Sequence, residues 1–168
     1  MTGLCGWLKP TSLPGDASAT LAQMRAGLGG GNGRETPTAT PTHALTACSP
    51  FNAASTHATD GLFAAIDGRP HWDDPALAQI ARETSPAAAL LAAYRRDGVD
   101  CLRQVHGAFG LAILEPARAT ALLAIDRMGI HRMCFAARGD TLAFGSTTDS
   151  VVAHPTIGRT LSDQGIFN

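Results

Sequence analysis

The sequence predicts a layered α+β sandwich of antiparallel sheets, on three observations. The chain opens with a short apolar run, Gly3-Leu4-Cys5-Gly6-Trp7-Leu8, closed by Lys9-Pro10, and its length and glycine flanks suit a buried strand. Helical patterns with start and stop signals follow it. From Ala108 onwards, short apolar stretches alternate with turn residues as far as Phe144, which reads as an antiparallel meander. Because those stretches are apolar nearly throughout, both of their faces need cover, from a second sheet on one side and helices on the other.

The 168 residues suit one domain and not comfortably two. Composition is 45% hydrophobic and 5% aromatic, so the core is built from small aliphatic side chains that bury little area each, and a partner surface, a second copy of the chain included, is expected to help. Thirteen Lys plus Arg balance fourteen Asp plus Glu, which leaves no global positive field for a nucleic acid or an anionic membrane. No apolar run reaches the roughly 18 residues that span a bilayer, and the first ten residues lack the pattern of a secretory signal. A cytoplasmic protein is the expectation. Cys5, Cys48, Cys101 and Cys134 lie far apart with no C-x-x-C pair, and they read as buried or free thiols. The six histidines share no i, i+3 or i, i+4 spacing, so no metal is expected.

Element by element, Asp16 or Ser18 caps a helix whose Leu21, Met24 and Leu28 recur on one face before Gly29-Gly30-Gly31 stops it. Gly29 to Asp60 reads as loop, with one short strand near His43 to Cys48. Leu62 to Ile66 is a compact apolar run turned by Asp67-Gly68. Asp74-Pro75 starts a helix with Leu77 and Ile80 inward, and Ser85-Pro86 starts another that runs to Arg96 and stops at Gly98. The strands that follow are Ala108 to Leu114, Thr120 to Ile125, Arg132 to Ala136 and Thr141 to Phe144. Asp126-Arg127 in the turn reads as an ion pair or cap, Trp7 and Trp72 as core and rim packing, and His106 as a turn residue.

Several segments carry a resemblance. Thr2-Gly3-Leu4-Cys5-Gly6 looks like a C-G-I-x-G start, and His106-Gly107-Ala108-Phe109-Gly110-Leu111-Ala112 like an N-G-x-F-A-F-A strand. Asp126-Arg127-Met128-Gly129-Ile130 matches a D-R-x-G-I turn, and Leu142-Ala143-Phe144-Gly145-Ser146 resembles an L-x-F-A-S strand. As a set they resemble the N-terminal glutaminase domain of asparagine-synthetase-like class II amidotransferases. The resemblance implies a four-layer αββα sandwich of the N-terminal-nucleophile type over 1–160. Residues 161–168 then resemble the start of a linker towards a missing synthetase domain, as in an N-terminal piece of a longer protein. In that family the exposed N-terminal Cys attacks glutamine, and its own α-amine serves as base.

Mapped residue by residue, the resemblance places Thr2 at the nucleophile position, and Cys5 would serve only after cleavage behind Leu4. Asp67-Gly68 stand where an Asn and a Gly form the oxyanion hole, and Pro86 where an Asp holds the substrate α-amine. No Arg lies between Glu35 and Gly68 to clamp the α-carboxylate. The leading expectation is therefore a degenerate domain, a pseudoenzyme without glutamine hydrolysis that scaffolds an ATP-dependent amide-forming synthetase half. Relatives of this kind make β-lactams or close lasso peptides. The alternatives are an active glutamine-hydrolysing domain with Thr2 as nucleophile, and a stand-alone small-molecule binding module. No cofactor is expected here, since the S-G-G-x-D pyrophosphate loop is missing from the sequence, and ATP and magnesium belong to the synthetase half.

Overall fold

The computed structural model of the chain describes residues 3–29, 37–49 and 53–158. In chain order its elements are β1 (Gly3–Leu8), α1 (Ala17–Ala26), β2 (Thr38–Ala39), β3 (His43–Cys48), β4 (Ala54–Thr59), β5 (Leu62–Gly68) and β6 (His71–Trp72). Then come α2 (Pro75–Glu83), α3 (Pro86–Asp97), a 3-10 turn (Gly98–Gln104), β7 (Val105–His106), β8 (Phe109–Glu115), β9 (Thr120–Ile125), β10 (Cys134–Arg138), β11 (Thr141–Gly145) and α4 (Thr148–Val152).

The helices start where side chains satisfy their free amides. The Asp16 carboxylate accepts from Ser18 N and Ala19 N, Asp74 from Ala76 N, and Ser85 Oγ from Ala88 N, with proline opening both α2 and α3. Each such cap stabilises its helix by about 1 kcal/mol. Gly98 ends α3 at φ +59, a conformation that costs other residues more. The first helix ends at Ala26, before the Gly29 to Gly31 run, and its cap Gly27 lies against the backbone of Asp149 and Ser150 in α4 with no room for a side chain.

Among the described residues, all strand pairs are antiparallel and form a five-stranded sheet, β10-β11-β1-β3-β2, a four-stranded sheet, β4-β5-β8-β9, and the small β6-β7 pair. The sheets face each other, with α1 and α4 outside the first and α3, with α2 beside it, outside the second. This is the four-layer αββα sandwich. Strand alternation sorts its three apolar layers. Cys5 and Trp7 of β1 pack under α1, whereas Leu4 and Leu8 point between the sheets with Leu45, Ala65, Ala112, Leu114 and Phe144. Phe109, Leu111 and Ile113 of β8 face the other way, onto Leu90 and Leu91 of α3. Trp72, expected at the rim, is 93% buried in that layer, since it is 7% exposed.

Three expectations need correction. Among its described residues, the stretch from Gly29 to Asp60 holds three strands and not one. β4, Ala-Ser-Thr-His-Ala-Thr, shows no apolar period, because its order comes from backbone pairing with β5 and from Ser55, whose hydroxyl accepts from Ala87 N at 3.1 Å. The four late strands form no single meander: β8-β9 is a hairpin of one sheet and β10-β11 of the other, with the chain crossing between them. Nor are all of them covered on both faces. β8 is buried along its length, while β9 and β10 are sheet edges and half-exposed to exposed. The first two residues and the linker segment 161–168 lie outside the described residues.

Candidate functional site

Sheet pairing brings three chain segments to one end of the inter-sheet space. Asp67 and Gly68 end β5, opposite Gly110 and Phe109 at the start of β8. Gly110 is in turn opposite Ile125, where β9 runs into the turn at Asp126. Asp67 lies on the Ala65 face of its strand, towards the other sheet, and is 2% exposed. Its Oδ2 is 3.1 Å from Nδ1 of His131, a residue 64 positions away. The imidazole has a fitted niche: a Cβ on Gly68 would stand 3.0 Å from His131 Nε2, and one on Gly110 would stand 3.5 Å from His131 Cβ. Gly68 has φ +124, and a side chain there would also run into Ala108 O and Phe109 Cα. Glycine is therefore required on steric and conformational grounds together.

A rigid turn delivers His131. Asp126 is buried and its carboxylate accepts from Met128 N and Ile130 N, both at 3.1 Å, and from His131 N at 2.9 Å. These hydrogen bonds, His131's foremost, hold its carboxyl below the usual carboxylate range. So Asp126 is the cap of the turn; the ion pair with Arg127 that the sequence suggested does not form, and Arg127 is exposed. We expect Asp126→Ala to lower the melting temperature by several degrees at neutral pH. A depressed carboxylate stabilises above its unfolded pKa of about 4 and loses that contribution as pH falls through the folded value. The gap between parent and variant should therefore close in acid, as thermal unfolding from pH 7 downwards would measure.

The remaining groups are quiet chemically. Gly68 N donates to Ala53 O at 2.6 Å, so that amide is already engaged. Pro86 is the first residue of α3 and has no N–H to offer. Its neighbour Ala87 ties the helix start to Ser55, opposite Ile66 and so beside Asp67. Leu4 N donates to Ser146 Oγ at 3.0 Å and Ser146 N to Leu4 O at 2.9 Å, fixing the start of β1 from the L-x-F-A-S-like strand end. Cys5 and Cys48 are fully buried; burial pushes both thiols up, Cys5 further, and the Asp67 charge adds to the effect at Cys48. Neither is a thiolate nucleophile at neutral pH. His106, read as a turn residue, is in β7 with Nε2 2.6 Å from Asp73 Oδ2. Thr2 lies outside the described residues. His131 was not singled out in the sequence, and Cys48 was read there only as a buried or free thiol. The D-R-x-G-I-like turn pointed towards His131, but its partner on β5 has no local signal.

The architecture is that of the N-terminal-nucleophile fold type. The solved glutamine phosphoribosylpyrophosphate amidotransferase from B. subtilis, complexed with ADP and GMP, superposes with a TM-score of 0.57 at 14% identity, over 88% of this chain and 42% of that one. A glutamine amidotransferase domain family matches residues 76–168, more than half of the sequence, and the chain belongs to that family. It is related to asparagine synthetase: asparagine synthetase [glutamine-hydrolyzing] 3 of Bacillus subtilis (strain 168) is 29% identical over 83 residues, 49% of this chain and 14% of the relative. No helix among the described residues is long and apolar enough to cross a membrane.

Proposed function

We propose that this chain is a degenerate glutaminase domain that no longer hydrolyses glutamine and scaffolds an ATP-dependent, amide-forming synthetase half. The observation that carries the reading is the corner at Asp67 and Gly68. If it corresponds to the oxyanion hole of the relatives, the side-chain donor has become a carboxylate, and the backbone donor is engaged by Ala53 O. A buried carboxylate there repels developing negative charge instead of stabilising it, and loss of one oxyanion donor costs about a hundredfold or more in turnover. Pro86 in place of an Asp, and the missing Arg clamp, remove two charge-assisted contacts, worth roughly a hundredfold to ten-thousandfold in glutamine affinity. The asparagine synthetase relative extends far beyond the matched segment, which supports a synthetase half as partner, and ATP with magnesium would act there. The test is ammonia release from glutamine by chain whose N-terminus is confirmed as Thr2. We expect none above background; release that Thr2→Ala abolishes would overturn the reading.

A further inference from the structure

The two sheets end differently on their two sides. One side is closed by β2, two residues long, and by the polar β4. On the other side β9, Thr-Ala-Leu-Leu-Ala-Ile, is the terminal strand of its sheet among the described residues, and it carries no charge, glycine or proline. Sheet edges are ordinarily blunted by charge, proline, bulges or shortness, since their free N–H and C=O groups template a further strand. β9 has none of these within it. Instead an arginine stands near each end: Arg118 two residues before the strand and Arg127 two residues after it.

Both guanidiniums have charge to spare. Arg118 is largely exposed and 3.8 Å from Glu115, and Arg127 makes no hydrogen bond or ion pair with a described residue. The neighbouring carboxylate, Asp126, is spent on turn amides. That same turn is rigid and presents Ile125, Met128 and Ile130 at 44%, 81% and 67% exposure, beside a cleft of about 520 Å³ that all three line with Arg127 and Phe109. Large apolar side chains held outward on a fixed turn mark a binding surface. Six residues of strand span about 20 Å, so the two arginines sit a strand's length apart.

We propose that β9 is a docking edge for an extended segment of a partner protein that carries a carboxylate at each end of a short uncharged run. Main-chain hydrogen bonds to β9 supply the affinity, and the two arginines pin the register, which an uncharged edge would otherwise leave free to slip. The inference is independent of whether glutamine is hydrolysed.

The test uses the whole chain and three probes: a peptide of alternating Val and Thr with Glu at both ends, its counterpart with Lys at both ends, and anionic vesicles. Hydrogen exchange should show protection, by the Glu-ended peptide, of those alternate amides of Thr120 to Ile125 that point away from β8, and at least tenfold weaker binding of the Lys-ended one. The double variant Arg118→Glu with Arg127→Glu changes exposed side chains and should invert that preference. Absence of protection at β9 up to millimolar peptide, or equal binding of both peptides, overturns the proposal. So does protection of the same amides that grows with protein concentration alone, which would assign the edge to a second copy, or protection by the vesicles and not the peptide.

Discussion

Replacing Gly6 by alanine is expected to unfold most of the chain or lower its stability by about 3 kcal/mol or more. β1 is the middle strand of its sheet, with Gly6 opposite Leu45 on one side and Phe144 on the other. A Cβ at Gly6 would overlap the carbonyl oxygen of Ala44 and stand 2.9 Å from Cζ of Phe144. The first obstacle is backbone of the paired strand, and the second is a ring with no exposed surface. Neither yields without breaking the register of β1 against β3 or β11. Folded domains keep about 5–15 kcal/mol of net stability, so one methyl group consumes a large part of it. Urea unfolding of Gly6→Ala against parent measures the effect; an unchanged midpoint would mean that β1 can shift sideways at no cost.

The second large effect is loss of stability in mild acid, through His154. Its ring has no exposed surface, lies 5.3 Å from Trp7 between centroids, and accepts at Nδ1 from Thr156 N at 3.3 Å. That leaves the proton on Nε2, which has no hydrogen-bond partner among the described residues. Burial, with a smaller contribution from the Lys9 charge, lowers the imidazole to about 4. An unfolded histidine takes up its proton near pH 6.5. Between pH 6.5 and 4 the unfolded chain therefore binds a proton that the folded chain refuses, and stability falls as pH falls. The contribution is complete above pH 6.5, and the loss by pH 4 is about 3 kcal/mol at most. His154→Leu should flatten the profile in that window. Some slope will remain, because burial lowers His43 as well. The depressed carboxylates of Asp74, Asp97, Asp126 and Asp140 act at lower pH and do not obscure the result. A parent profile that is flat between pH 6.5 and 4 would contradict a neutral, buried His154.

Elements with local stop and start chemistry were legible in the sequence. Asp16, Asp74-Pro75, Ser85-Pro86 and Gly98 each satisfy or end a helix within a few residues of themselves, so α1, α2 and α3 could be read directly. The buried strand Gly3–Leu8 could be read because it is short and apolar with glycine flanks. β4 could not, since pairing with β5 orders it and its side chains are small and mostly polar. The division of the late strands between two sheets was hidden for another reason: the turn after Asp126 looks alike whether the chain continues in one sheet or crosses to the next. Asp67 and Gly68 were marked by resemblance as pocket positions. The partner of Asp67 was not, because a contact spanning 64 residues leaves no periodic trace.

The place of β1 has a consequence for how the chain is made. One of its neighbours, β3, ends at Cys48, but the other, β11, is complete only at Gly145. As the chain is made, β1 can pair with β3 early but must wait for β11, so one of its edges stays unpaired until Gly145 has been added. Closure of the five-stranded layer thus comes long after the β1-β3 pair can form, and long-range pairing of this kind is slow and exposed to aggregation while it is pending.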